Sequence, residues 1–99
     1  MLNINKETNG TTLKVKLDGR LDTTTAPQLE GELKDSLEGV TELDFDFNDL
    51  QYISSAGLRV LLSMQKIMNK QGEMTVRGAN EDIREIFEVT GFSDILNIV

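Results

Sequence analysis

The stretch DLQYISSAGLRVLL, residues 49–62, joins a segment of alternating apolar and polar residues to a segment with helical periodicity. Before it, Leu43, Phe45 and Phe47 alternate with two aspartates, and this period-two pattern predicts a strand with one buried face. Downstream, apolar residues recur along one face at a spacing of about 3.6 residues, which predicts a helix over residues 55–71. The stretch is therefore the turn at which a strand leads directly into a long helix.

Further strands and helices follow from the same two periodicities. Leu13, Val15 and Leu17 alternate with polar residues, and the pair Asn9-Gly10 ahead of them favours a tight hairpin with an earlier strand. The sequence predicts, in chain order, a strand at 2–4, a strand at 13–17, a helix from the threonines before Pro27 to Gly39, a strand at 43–52, the helix at 55–71, a strand at 74–76 and a helix capped by Asn80 and closed by Gly91. The apolar tail at 95–99 is compatible with either type of structure.

The order of these elements indicates the class of fold. Helices that separate successive strands imply parallel strand pairs joined by right-handed crossovers. The strands alternate apolar residues with Lys, Asp, Thr and Arg, so one face of the sheet is expected to contact water. The prediction is an α/β fold: a single mixed sheet of four to five strands with the helices mainly on one face. We expect one domain over residues 1–99, because a chain of this length forms one modest core.

The composition argues against several classes of function. The chain has 10 Lys and Arg residues and 17 Asp and Glu residues, which gives a formal net charge of -7. It therefore lacks the positive field that attracts nucleic acid or anionic lipid. The absence of cysteine and histidine removes disulfides, zinc–thiolate sites, the usual general base and nearly all transition-metal sites. The opening residues show no basic segment followed by an apolar stretch, so we expect no signal peptide, and no apolar run reaches the length that a membrane span needs. We therefore expect a cytoplasmic binding protein, not an enzyme, with no metal, cofactor, nucleic acid or membrane partner.

The start of the long helix has a structural and a functional interpretation. Ser54 and Ser55 are ordinary capping residues, since a hydroxyl can accept a hydrogen bond from a free backbone N–H. Gly57 is less expected there, because glycine in a helix costs about 1 kcal/mol relative to alanine. Close approach of another backbone, a phosphate or a partner would explain it. Leu58 and Leu62 lie beside the main apolar face, where they either complete a buried stripe or form an apolar contact surface.

Two motifs resemble those of a known family. YISSAGLR, residues 52–59, resembles the signature of the STAS family, specifically of the small bacterial anti-sigma factor antagonists. Gly19-Arg20-Leu21-Asp22 resembles the second motif of that family, and Gly91-Phe92 before an apolar tail fits its closing segment. The order of strands and helices also matches. The resemblance covers essentially the whole chain.

The resemblance implies a phosphorylation switch. The unmodified protein would bind an anti-sigma factor, commonly a serine kinase of the GHKL ATPase fold, and so free a sigma factor; phosphorylation would end the binding, and a serine phosphatase would restore it. The resemblance assigns the phosphorylated serine to Ser55, with Ser54 as the alternative, because the family often has aspartate at the position of Ser54. The predicted partner-binding residues are Asp22, Ser54, Ser55, Ala56, Gly57, Leu58, Arg59 and Leu62.

Other roles remain open at this point. STAS-like domains also act as non-switching scaffolds or as subunits of larger signalling or transporter complexes. A hydrolase that used Ser54 or Ser55 as nucleophile would need a lysine base, but Lys66 and Lys70 lie on the helix face opposite Gly57. For Gly19 to Asp22, a simple turn after a strand is the structural alternative. Nothing in the sequence requires a dimer, so we expect a monomer.

Overall fold

The computed structural model describes residues 2–99, which form one five-stranded sheet and three α-helices. The elements are β1 (Leu2–Asn9), β2 (Thr12–Leu21), α1 (Ala26–Lys34), β3 (Glu42–Ile53), α2 (Ser55–Gln71), β4 (Glu73–Arg77), α3 (Glu81–Val89) and β5 (Asn97–Ile98), with a 3₁₀ turn at Phe92–Asp94. The strand order is β1-β2-β3-β4-β5; β1 is antiparallel to β2, and the remaining pairs are parallel. The predicted fold class is confirmed.

The core lies between one face of the sheet and the helices. Successive strand residues point to opposite faces, so the apolar member of each alternating pair points toward the helices. The three phenylalanines Phe45, Phe47 and Phe87 are fully buried there, with ring centroids 5.8 Å and 6.5 Å apart in the two neighbouring pairs. The buried residues of α2 are Gly57, Leu58, Val60, Leu61, Met64, Gln65 and Met68. Each fully buried large apolar side chain contributes about 1.5–3 kcal/mol through burial.

The opposite face of the sheet carries no helix and is covered with charged side chains, and we call it the open face. Lys16 forms an ion pair with Asp49 at 3.2 Å, and Arg77 donates to Asp44 at 2.8 Å. Ion pairs this exposed contribute little to stability, because water and salt screen them, but they keep the face hydrated. Within residues 2–99, none of the helices combines the length and the apolarity needed to cross a membrane.

The first helix is shorter than its leucine spacing predicts. α1 ends at Lys34, although the next residue of the leucine series, Leu37, is still buried. The segment after α1 is held by α2 instead of by helical hydrogen bonds. The side-chain amide of Gln71 donates to the carbonyl oxygens of Leu37 and Val40, at 2.6 Å each. Leucines spaced four residues apart therefore do not require a continuous helix, because Leu37 is buried from a turn that packs on a neighbouring helix. The prediction that the helix reaches Gly39 is wrong.

The third strand is interrupted twice opposite β2. At each interruption β3 contributes one residue more than β2, as in a β-bulge, and a bulge bends the strand that carries it. The pairing steps from Lys16–Asp46 to Asp18–Asp49, and from Gly19–Leu50 to Arg20–Tyr52. The buried residues of β3 accordingly change from a spacing of two to a spacing of three after Phe47. These interruptions set the direction in which β3 leads into α2.

Candidate functional site

The two predicted motifs meet where β2 and β3 end side by side, at the carboxyl edge of the sheet. The backbone N–H of Ser54 donates to the carbonyl oxygen of Leu21 at 2.9 Å, which joins the start of α2 to the end of β2. On the other motif, the hydroxyl of Thr25 donates to the carbonyl oxygen of Arg20 at 2.8 Å. The loops that start α1 and α2 are thus fixed to the same pair of strand ends.

Gly57 is buried where α2 packs against these strand ends. A Cβ atom at this position would lie 2.8 Å from Cγ of Leu21 and 2.8 Å from Cγ1 of Ile53. Real Cβ atoms essentially never approach other atoms so closely, so a larger residue would push α2 away from the sheet. The close neighbours of this glycine are core side chains. Its small size is explained by packing, without a phosphate or a partner.

The neighbouring residue Leu58 is only 6% exposed and lies in the same core. Its predicted contact with a partner is therefore corrected to a packing role, because the side chain offers almost no surface. Leu62, one turn further along α2, is half-buried, as is Ala56. Of the two alternatives stated for this flank of α2, the buried stripe holds for Leu58, whereas Leu62 keeps part of its side chain at the surface.

The two candidate serines differ in accessibility. Ser54 precedes the helix with extended backbone, and its Oγ is buried without a hydrogen-bond partner among residues 2–99. Ser54 therefore occupies the N-cap position of α2 but does not cap it, and the prediction of an ordinary capping hydroxyl is wrong for this residue. Ser55 is the first residue of α2 and is exposed. Of the two hydroxyl oxygens, only that of Ser55 belongs to an exposed residue.

The first turn of α2 presents uncompensated backbone polarity around Ser55. The first four N–H groups of a helix have no helical acceptor, and the helix dipole places about half a positive charge at this end. No acidic residue lies in the first turn of α2, and no side chain caps it. The exposed Arg59 follows Ser55 by four residues, a spacing that places two side chains next to each other on a helix surface. The surroundings of Ser55 on α2 therefore favour an anion.

Asp22 holds the loop that leads into α1. Its Oδ1 accepts hydrogen bonds from the hydroxyl of Thr24 at 2.8 Å, the N–H of Thr24 at 3.0 Å and the N–H of Thr25 at 3.2 Å. The hydrogen bond from the Thr24 hydroxyl is the main reason that the pKa of Asp22 is lowered. Asp22 is half-buried and stays charged at neutral pH. These contacts match the structural alternative of a turn after a strand.

The sequence did not single out the contact between Arg20 and Tyr52. The guanidinium of Arg20 lies over the ring of Tyr52, 4.5 Å from its centroid, and Tyr52 is 39% exposed. Each residue lies near the end of its strand, and the two are paired in the parallel register of β2 and β3. The signal that could have found the contact is that both motifs end a strand, which places them at one edge of a parallel sheet. The bulges that bring these two residues into register are not visible in the sequence.

The described residues 2–99 contain no cluster of three or more acidic side chains arranged to hold a metal ion. Asp49, in the segment before α2, pairs with Lys16 on the open face. The distinctive surface is instead the carboxyl edge itself, with the exposed Ser55, the exposed Arg59 and the stacked Arg20.

Together, the fold and this edge define a one-sided α/β domain in which an exposed serine begins the helix that follows the third strand. The chain belongs to the STAS domain family, whose model matches residues 3–99. The family predicted from the two motifs is thereby confirmed.

Individual relatives agree with this assignment. BtrV of Bordetella bronchiseptica, described as an anti-sigma factor antagonist, is 38% identical over 84 residues, which are 83% of this chain and 72% of BtrV. The anti-sigma-B factor antagonist of Bacillus subtilis is 29% identical over 98 residues, covering 98% of this chain and 90% of that protein. Among solved structures, the phosphorylated form of the Bacillus cell fate determinant SpoIIAA has a TM-score of 0.77 at 18% identity and covers 98% of this chain and 91% of its own. This last likeness concerns the fold.

Proposed function

We propose that this chain is an anti-sigma factor antagonist whose binding to its partner is ended by phosphorylation of Ser55. The observation that carries the proposal is the exposure of Ser55 at an uncapped helix start, next to a Ser54 oxygen that is buried. The names of the relatives support the role of antagonist, and a phosphorylated form of SpoIIAA supports the modification. The partner would be an anti-sigma factor of the serine kinase type, and a serine phosphatase would remove the phosphate.

A phosphate on Ser55 would leave the domain folded. It adds about -1.5 to -2 charges and three acceptor oxygens at neutral pH. The start of α2 has free N–H groups, the positive end of the helix dipole and no acidic residue in its first turn. Since these groups favour an anion, the modification does not oppose the fold. Its effect is directed outward, toward whatever contacts this surface.

The same phosphate would oppose docking. A contact that accommodates a serine hydroxyl has to accept added bulk and charge, and a loss of about 1.4 kcal/mol already weakens binding tenfold. The surface available to a partner consists of the exposed Ser55 and Arg59 with the half-buried Ala56 and Leu62. We include Asp22 because the loop it holds is tied to the same strand ends as Ser55.

The test compares serine variants against the cognate anti-sigma factor by titration calorimetry and follows phosphate incorporation by mass spectrometry. The wild-type protein and Ser54→Ala are expected to bind and to accept phosphate, whereas Ser55→Ala binds but is not phosphorylated. Ser55→Asp is expected to bind at least about tenfold more weakly than wild type, since it adds a negative charge to the contact. Phosphate found on Ser54 would contradict the assignment of the site. Equal binding by the phosphorylated and unmodified forms would favour a non-switching scaffold.

A further inference from the structure

We propose that the docking surface continues past α2 around the carboxyl edge onto the open face, where Arg20, stacked on Tyr52, binds a carboxylate of the anti-sigma factor. This inference deepens the proposed function and rests on it, because the docking partner is the same anti-sigma factor. Neither residue belongs to the helix that carries Ser55. The inference assigns a role in partner selection to the two strand ends themselves.

The position of Arg20 and Tyr52 on the open face follows from the alternation of side chains along the strands. Leu21 and Ile53 point toward α2, since both would contact a Cβ at Gly57. The residues directly before them, Arg20 and Tyr52, therefore point to the opposite, open face. One residue after Ile53 the chain is bonded to Leu21 through the N–H of Ser54. The stacked pair thus lies at the same edge as the start of α2 but on the other side of the sheet.

Arg20 keeps its hydrogen-bond donors free. Arg20 forms a long ion pair with Asp22, whose Oδ2 lies 3.9 Å from Nε, but this is beyond hydrogen-bond distance, and within residues 2–99 the guanidinium donates no hydrogen bond. The other oxygen of Asp22 is occupied by Thr24 and Thr25. Two other cations of the open face, those of the pairs Lys16–Asp49 and Arg77–Asp44, have close acidic partners at 3.2 Å and 2.8 Å. The side chain of Arg20 is 53% exposed and available to an external acceptor.

The contact with the ring of Tyr52 makes Arg20 suited to bind a carboxylate. A guanidinium held over the face of an aromatic ring can still donate from its N–H groups, and these groups match the two oxygens of a carboxylate. Because the ring of Tyr52 already orders the guanidinium, less conformational freedom is lost on binding. Tyrosine and arginine are also among the residue types enriched at the positions that dominate interface energetics. The chemistry and the order of this pair both indicate an acidic group of the partner.

The experiment titrates the cognate anti-sigma factor with wild-type protein, with four new single variants and with Ser55→Asp. The titrations of wild type and Arg20→Gln are repeated after phosphorylation. Arg20→Gln is expected to weaken binding about tenfold at low salt and to make the affinity less dependent on salt, because a charged contact is lost. Tyr52→Leu removes the ring but keeps an apolar side chain, and it is expected to bind about threefold more weakly than Tyr52→Phe, which keeps the ring. Lys70→Gln is the matched charge control, since Lys70 is 15 residues along α2 from Ser55, about 22 Å along the axis.

The possible outcomes separate this inference from the proposed function. If wild type binds and Ser55→Asp does not, while Arg20→Gln binds as wild type does, the proposed function stands and the inference is overturned. If Arg20→Gln binds normally but becomes insensitive to phosphate, Arg20 contacts the phosphate of its own chain, and the inference is again overturned. If wild type binds no anti-sigma factor, both fall. Circular dichroism of each variant verifies the fold, and the side chains of Arg20, Tyr52 and Lys70 are all exposed, so unfolding is not expected.

Discussion

Helices α2 and α3 both begin at the carboxyl edge of the sheet, but their first turns differ in capping and in charge. At α3, Oδ1 of Asn80 accepts the backbone N–H of Ile83 at 2.8 Å, and Glu81 and Asp82 follow in the first turn. At α2, the Ser54 side chain forms no cap, and no acidic residue is present in the first turn. The start of α3 therefore has the capping and charge that stabilise a helix, whereas the start of α2 has neither.

The two helices are held in position by different kinds of contact. α3 is fixed at its start by polar contacts, including a hydrogen bond from the Asn80 amide to the carbonyl oxygen of Leu50 at 3.3 Å. α2 is fixed by the backbone bond between Ser54 and Leu21 and by the packing of Gly57 on the strand ends. Because packing holds α2, its polar end remains free for a modification or a partner. Substitutions at the two helix starts should therefore have different consequences.

The largest expected effect is at Gly57. Gly57→Ala should lower the free energy of unfolding by about 1–3 kcal/mol, because the added Cβ overlaps two core side chains. The change is destabilising even though alanine has the higher helix propensity. Gly31→Ala in α1 is the matched control: nothing lies within 4 Å of its Cβ position, so it should stabilise by about 0.5–1 kcal/mol. Urea unfolding measures both, and a neutral Gly57→Ala would show that packing does not fix α2.

The next effect is the removal of the α3 cap. Asn80→Ala should lower the free energy of unfolding by about 1 kcal/mol, because the N–H of Ile83 loses its side-chain acceptor. Asn80→Asp keeps an acceptor at the same place and should lose less. Denaturant unfolding under the same conditions compares the two. Equal losses for both variants would mean that the hydrogen bond of the amide to Leu50, and not the cap, is the important contact.

A smaller effect of opposite sign is expected at Ser55. Ser55→Asp should raise the free energy of unfolding by about 0.3–1 kcal/mol at low salt, because it places a negative charge at an uncompensated helix start. The gain should shrink in high salt through screening. Ser63→Asp, an exposed position in the middle of α2, serves as the control and should give no comparable gain. Thermal unfolding at two salt concentrations decides, and a destabilised Ser55→Asp would refute the anion-favouring account of this site.

The smallest effect is expected at Ser54. A capping serine normally loses about 1 kcal/mol on replacement by alanine. Ser54→Ala should instead remain within about 0.5 kcal/mol of wild type, since the hydroxyl has no hydrogen-bond partner to lose. The measurement is again urea unfolding, in parallel with Asn80→Ala. A loss as large as that of Asn80→Ala would mean that the two helix starts are equivalent.

Much of the fold was predictable because local patterns carry it. The alternation in β2 and the first half of β3 defined both strands, and Lys66 and Lys70, expected on the helix face opposite Gly57, are exposed while Gly57 is buried. Asn80 and Gly91 were also recognised, since a cap and a left-handed glycine act within a few residues. The two site motifs were found through their resemblance to the STAS family.

The features that the sequence did not reveal depend on contacts between segments that are distant in sequence. The bulges of β3 arise from its pairing with β2, and no local pattern reveals an added residue. The role of Gly57 required the positions of Leu21 and Ile53, and the difference between Ser54 and Ser55 required the exact entry of α2. The motif residues could therefore be named from the sequence, but which of them are exposed could not.

The strands lie in the sheet in the order in which a ribosome makes them. The β1–β2 hairpin closes over a short loop, and each later strand adds to an edge that has already been synthesised. After β1, every strand finds a neighbour that has already been made, so sheet assembly can proceed in the direction of translation. Each parallel pair still has to close over a crossover helix, but no strand has to insert between two strands that are already paired.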